Sequence, residues 1–418
     1  MSDEATDVVT ELPYCTLTVA GIPILFVNIK SIIVREWVFD HIPTILIKFV
    51  AGQEFFGGIS LQEDDIIEVE LGSKPPEKRE LPIKGYFKLK GHTFDKQQET
   101  TVHEITGILA CTNYNHPFRF RSFANKPSSD VLKTIAGELS LKPQLKVTTK
   151  DTQTWLQSGT AMDFLKHLNQ HSYITDDDLL LSFTDRESNF VITSIKTILQ
   201  EQPMRLRHWP EGYASDPEPN DAKPENRIYP FVGFTYKSMT SIHNMQGGYG
   251  LKEYKYNYEA FVSVIHDQIV GSIATLHHMK KELKGQSNYI VDTEAVPSGH
   301  SKVMVAPKLN MKHKADFSSA TVLVLVKPHP DYKLGKLVNV ELEILNRGEK
   351  SDTDGIYGGK YIIGGIIHHH EHPNGARMYL VLMRGGFEKG VGMEDTDVTS
   401  AKETDASKTE KPKAKDKK

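Results

Sequence analysis

Apolar residues in this chain recur in short runs rich in Val, Ile, Leu and Phe, broken by Gly, Pro and Asp, a texture that predicts strands over most of the length. Ile22-Pro23-Ile24-Leu25-Phe26-Val27, Ser31-Ile32-Ile33-Val34 and Thr44-Ile45-Leu46-Ile47-Lys48-Phe49-Val50 are the first three. Gly57–Asp65 reads as a turn before Ile66–Leu71, residues 83–109 add strand material, and Phe118–Phe123 is expected to close the unit. Many short strands with little helix predict a small barrel or sandwich over residues 12–122.

The period changes after residue 127. Ser128-Ser129-Asp130 forms a cap-like cluster ahead of Val131, Leu132, Ile135, Ala136 and Leu139, which share one helical face. A second helix follows Gly159-Thr160 and carries Met162, Phe164, Leu165 and Leu168 as its stripe. With a short strand at Gln144–Thr148 and strands at Leu179–Thr184 and Asn189–Ser194, residues 123–202 read as an α/β unit.

Residues 203–228 hold Pro210, Pro217, Pro219 and Pro224 among polar residues and read as a linker or exposed loop. Strand texture returns at Phe231–Tyr236 and Lys252–Val264, is ambiguous over 266–284, and is strong at Ala320–Val326. The expected organisation is an N-terminal tail (1–11), a first β-barrel (12–122), the α/β unit, the linker, and a second β-barrel (229–387) with an insertion around 240–320. A Lys-rich C-terminal tail (388–418) without apolar periodicity is expected to be disordered. The fold class is therefore mixed and β-dominated (α+β), two similar small barrels flanking an α/β domain.

One phrase is written twice. Ile66-Ile67-Glu68-Val69-Glu70-Leu71 is echoed by Leu337-Val338-Asn339-Val340-Glu341-Leu342. Downstream, Ile105–Leu109 precedes Phe118–Arg121 much as Ile363–Ile367 precedes Leu380–Arg384. A duplicated module can supply pseudo-symmetry, and three such chains would present six similar faces. Chance likeness between two strand segments is the competing explanation.

Bulk properties narrow the classes of function. At 418 residues the chain exceeds what one core comfortably serves, so two or more domains are expected. A net charge of -4 gives no global field to recruit nucleic acid or an anionic membrane. Cys15 and Cys111 make neither a disulfide framework nor a zinc site and fit a reducing compartment. The acidic start Met1-Ser2-Asp3-Glu4 lacks signal-peptide character, and no apolar run is long enough for a spanning helix, so folding in a cytoplasm is expected.

Candidate chemistry is sparse. On an extended strand His368, His370 and His372 share a face, which is one way to assemble a metal site; a polar hairpin end before Pro373-Asn374-Gly375 is the blander account and the preferred one. Glu349–Gly355 lacks the acid spacing of a calcium loop, and Asp176-Asp177-Asp178 reads as a turn. Tyr249–Tyr258, with its alternating Tyr and Lys, could stack nucleic-acid bases but fits a half-buried strand better. No nucleophile elbow, His-Glu-x-x-His or phosphate loop occurs. No catalytic residue, cofactor or resident metal is expected.

In this order of elements the chain resembles the baseplate hub proteins of contractile-tailed phages, the group of late control protein D, and the hub portion of VgrG spike proteins. The resemblance rests on Val131–Ala136 and Met162–Leu165 in the helical unit, and on Tyr361–His368 followed by the Arg-ended strand Tyr379–Arg384. His368 falls where that family carries a His at the end of its penultimate strand, which weakens the metal reading further. The resemblance implies a non-enzymatic virion protein assembled in the bacterial cytoplasm. It implies a homotrimer whose barrels form a pseudo-six-fold ring, joining a hexameric tail tube to a trimeric spike among other baseplate proteins. DNA would pass through the channel without specific binding, and no membrane anchor is implied. A hub of a secretion or tailocin-like injection device is the alternative setting, and a tail-associated cell-wall hydrolase is the alternative class. No repetitive β-helix spike follows the second barrel, so the spike would be a separate protein.

Overall fold

Strand pairing, more than helix packing, organises the chain in the computed structural model, which describes residues 13–52, 61–73, 83–97, 100–111, 114, 117–208, 227–238, 250–257, 262–269, 287–293, 300, 302–303, 305–318, 320–329, 331–344, 352–353, 357–372 and 375–385. The β-dominated mixed fold expected from the sequence is what is observed. The N-terminal strands are β1 (Pro13–Val19), β2 (Ile22–Ile24), β3 (Ile29–Trp37), β4 (Thr44–Ala51), β5 (Ile66–Ser73), β6 (Ile83–Gln97) and β7 (Thr100–Leu109). They pair in the order β3-β4-β7-β6-β5-β1-β2. Alternation does the sorting: Ile45, Ile47, Phe49 and Ala51 of β4 point inward, with polar or half-buried residues between them. A bulge between Ile29 and Ser31 resets the phase of β3, so that Ile29, Ile32 and Val34 all reach the same core.

The middle of the chain holds β8 (Arg119–Lys126), α1 (Ser128–Glu138), β9 (Lys142–Leu145), β10 (Gln153–Gly159), α2 (Ala161–His171), β11 (Leu180–Thr184), β12 (Asn189–Ser194) and α3 (Ile195–Leu199). β8 pairs with β10, and β9, β12 and β11 form a second small sheet. The start of α1 is held from outside the helix. Asp151 accepts from Ser128 N (2.9 Å), Ser128 Oγ (2.5 Å) and Tyr173 N (2.9 Å). Helix α2 has its own reciprocal cap, with Thr160 Oγ1 accepting from Asp163 N and donating to Asp163 Oδ2. The apolar stripes read from the sequence face inward: Val131, Leu132, Ile135, Ala136, Phe164, Leu165 and Leu168 are buried.

The C-terminal part comprises β13 (Met204–His208), β14 (Ile228–Ser238), β15 (Gly250–Asn257), β16 (Val262–Ile269), β17 (Ser287–Thr293), α4 (Ala306–Phe317), β18 (Ala320–Val326), β19 (Leu337–Glu341), β20 (Glu343–Ile344), β21 (Asp352–Thr353), β22 (Gly359–Glu371) and β23 (Gly375–Arg384). Six of these run β19-β13-β14-β18-β23-β22, and β22 pairs back onto β19, closing a barrel. Val322, Val324, Leu337, Ile362, Ile366, Leu380 and Leu382 fill it. β15, β16 and β17 form a sheet of their own, and β20 pairs with β21.

Several expectations are corrected. Phe118–Phe123 does not close the first unit; β8 turns away to β10, and Phe118 and Phe120 are exposed. Met204–His208, placed in the linker, is a barrel strand whose Met204 and Leu206 are buried. Lys252–Val264 is two strands, not one, and β16 continues to Ile269. Helix α4 lies inside the supposed insertion and was missed because its apolar positions are few; Leu309 and Phe317 are among its buried anchors. The Pro-rich residues 210–226, the turn residues Pro373 and Asn374, most of Glu349–Gly355 and the tail 388–418 lie outside the described residues.

Candidate functional site

Strand β22 is long enough to serve two partners along one edge. Its first part, Gly359–Ile362, pairs with β19 inside the closed barrel. Its second part, Gly365–Glu371, pairs antiparallel with Trp37–Ser31 of β3 and so joins the C-terminal strands to the N-terminal ones. This joint is the part of the molecule where the functional candidates converge.

The joint is built from a module that occurs twice, down to its register. Ile66 faces Lys88 as Leu337 faces Ile362. Two residues on, each long strand bulges, at Lys90 in β6 and at Gly364 in β22. After the bulge Gly91 faces Thr106 as Gly365 faces Val381. Thr106 faces Leu46 as Val381 faces Leu323, and Leu46 faces Ile33 as Leu323 faces Thr235. Even the bulge in β3 after Ile29 has its counterpart in β14 after Phe231. Bulges are specific local features, so two matched pairs in matched registers argue against coincidence.

The structure also corrects the repeat as read from the sequence. The first echo, Ile66–Leu71 with Leu337–Leu342, falls on equivalent strands β5 and β19. The second echo is out of step, because Ile105–Leu109 lies in β7, whose counterpart is β23 and not β22. The copies also differ in one strand: β1 runs antiparallel to β5, whereas β13 runs parallel to β19. Among the described residues the ring-closing pair is present only in the C-terminal copy.

Charge is buried at the joint. Glu36 of β3 is 1 % exposed and sits diagonally across the joint from His368 of β22, whose Nε2 is 3.1 Å from Glu36 Oε1. Arg186, in the β11–β12 turn, donates its backbone N–H to Glu36 Oε2 at 3.0 Å and brings Nη1 to 3.5 Å from Oε1. Burial works to raise the Glu36 carboxyl, but the His368 hydrogen bond and the charges of His368 and Arg186 outweigh it and hold the group below the usual carboxylate range. Burial also depresses His368, against the pull of Glu36. The balance favours the ionised Glu36 carboxylate, with the His368 Nε2–H donating to it and Arg186 supplying positive charge beside it.

The other two histidines have different surroundings. His370 is buried with its ring edge-on to Phe26, and burial followed by the charges of His369 and His372 pushes its pKa down to about 4. His372 also meets Phe26 edge-on, and its backbone N–H donates to Lys30 O at 3.0 Å. His368, His370 and His372 do share a strand face, yet they are spent on an ion pair and on aromatic packing. Among the described residues no three His, Cys, Asp or Glu side chains converge on a point where a metal could sit.

A cavity of about 280 Å³ lies beside the joint, lined by Val38, Phe39, His41, Lys166, Asn169 and Lys314 among others. Burial first, and then Lys166 and Lys314, push His41 down to about 4 against the hydrogen bond with Ser182 O. Among the described residues that line this cavity the titratable side chains are His41, Lys166 and Lys314, with no carboxylate, thiol or hydroxyl beside them. Arg384, the Arg that ends β23, is fully buried; it stacks over Tyr361 at 4.3 Å and donates to Gly358 O at 2.8 Å. Sequence reasoning missed Glu36 and Arg186 because their pairing with His368 depends on register between distant strands.

The sequence matches no family model and no curated protein. The fold does have counterparts. It is similar to the 43 kDa tail protein of prophage MuSo2 from Shewanella oneidensis, at 11% identity and a TM-score of 0.55, over 90% of this chain and 100% of that one. It is also similar to the tail protein from Neisseria meningitidis MC58, at 10% identity and a TM-score of 0.52, over 89% of this chain and 96% of that one. The chain has the fold of phage tail proteins.

Proposed function

We propose that this protein is a structural, non-enzymatic component of a phage tail: a baseplate hub that assembles as a homotrimer. The observation that carries the reading is the register-level duplication around β22, which gives each chain two equivalent modules already joined side by side. Three chains placed head to tail would set six such modules in a ring, matching a hexameric tail tube on one face while keeping the three-fold symmetry of a spike on the other. The two tail proteins that share the fold support the setting.

The ring would enclose the channel through which DNA passes. A net charge of -4 suits a passage that must not hold phosphates. The domain division follows from the same reading, with β13 assigned to the second barrel and residues 209–226 left as the connection. Electron microscopy of the purified chain tests the proposal. Class averages should show a ring of six similar lobes around a central hole; isolated two-lobed particles would contradict it.

A further inference from the structure

The internal joint is a pairing of two module segments whose counterparts can be named. In the duplicated module β22 corresponds to β6 and β3 corresponds to β14, with Gly365 matched to Gly91 and Ile33 matched to Thr235. Within one chain, the far half of β22 takes β3 along its edge. The far half of β6, Gly91–Gln97, pairs with β7 on one edge, while on the other, among the described residues, strand pairing is with β5 at Ile83–Lys88. Strand β14 pairs with β13 at Ile228–Phe231 among the described residues and continues to Ser238. Each copy of the module therefore has a donor segment and an acceptor segment, and one donor–acceptor pair is already used inside the chain.

The geometry points to His92–Gln97 of one chain pairing antiparallel with Gly233–Ser238 of a second copy, in the register of the internal joint. Asp95 then faces Thr235, Phe94 faces Tyr236 and His92 faces Ser238, as His369 faces Ile33, His368 faces Val34 and Ile366 faces Glu36. Side-chain burial agrees. At the filled joint His368 is 3 % exposed, whereas its counterpart Phe94 is 68 % exposed in the single chain, an aromatic ring that the seam would cover with Tyr236. The contact is head-to-tail, since each chain offers β6 to one neighbour and β14 to the other, which closes into a ring when the rotation allows.

This seam rests on the trimeric reading above, so its test separates the two. Backbone hydrogen bonds flank the internal joint at Val38 N to Gly364 O and His372 N to Lys30 O. Counting inward, His369–Ile33 is a non-hydrogen-bonded pair, the kind with the closest side chains, and its counterpart is Asp95–Thr235. The full-length chain carrying both Asp95→Cys and Thr235→Cys, two exposed positions, should run after mild oxidation mostly as a covalent three-chain species on a non-reducing gel. Mixing the two single variants should stop at covalent dimers. Asp95→Cys with Lys237→Cys, one pair of positions out of register, should give little cross-linking. Light scattering on the same samples completes the reading. A trimer that fails to cross-link, or that cross-links equally in both double variants, overturns the seam and leaves the hub proposal standing; a single-chain mass overturns both.

Discussion

Glu36 and His368 lie 332 positions apart in the chain and meet at 3.1 Å across the β22–β3 joint. Their contact ties the two copies of the module together, and Arg186 from the middle of the chain completes it. Glu36→Ala would leave Arg186 and the His368 Nε2–H facing a desolvated gap. Removing one partner of a buried charge pair costs about 3–5 kcal/mol. Urea unfolding should show a loss of that size, with His368→Ala costing less because the Glu36–Arg186 pair survives.

The bulge at the head of the joint should be equally sensitive to a single methyl group. A Cβ on Gly365 would run into the Trp37 ring, and one on Gly364 into the Met383 side chain. Overpacking of this kind costs about 1–3 kcal/mol. Gly365→Ala should therefore lower the thermal midpoint clearly, while Gly137→Ala, where among the described residues nothing lies within 4 Å of the added Cβ, should not lower it.

Acid should weaken the fold before carboxylates begin to titrate. His41 and His370 are held neutral down to about pH 4, mainly by burial, whereas in an unfolded chain they bind protons from about 6.5. Between those limits the unfolded state takes up more protons, so stability falls as pH falls, by about 1.4 kcal/mol per pH unit for each histidine. Denaturant midpoints should drop from pH 7.5 to pH 5.0, and His370→Leu should flatten part of that slope.

The thiols should be inert in the folded chain. Cys111 is buried, and desolvation pushes its pKa up to about 11; Cys15 is pushed up to about 12 for the same reason. A thiol-specific chromogenic reagent at pH 8 should therefore label Cys111 only after denaturant is added, with a rate that follows unfolding.

Short-range pattern carried much of the fold. Ala320–Val326 matches β18 residue for residue, and the stripes on α1 and α2 face the core because their period is local. Pairing between distant strands was far less legible. Nothing in Met204–His208 announces that it lies parallel to both β14 and β19. The repeat shows the same limit: the Ile66 and Leu337 phrases matched in sequence, but the correspondence of β6 with β22 is carried by bulges and register, which leave little trace in residue type. For the same reason the His368 strand was visible as a cluster, while Glu36, which gives it meaning, was not.

Mass in solution tests the central claim most directly. Light scattering coupled to size exclusion should return three times the 47.1 kDa chain mass, the value required for six modules in a closed ring. A stable dimer, or a single-chain mass that persists as concentration is raised, would contradict it.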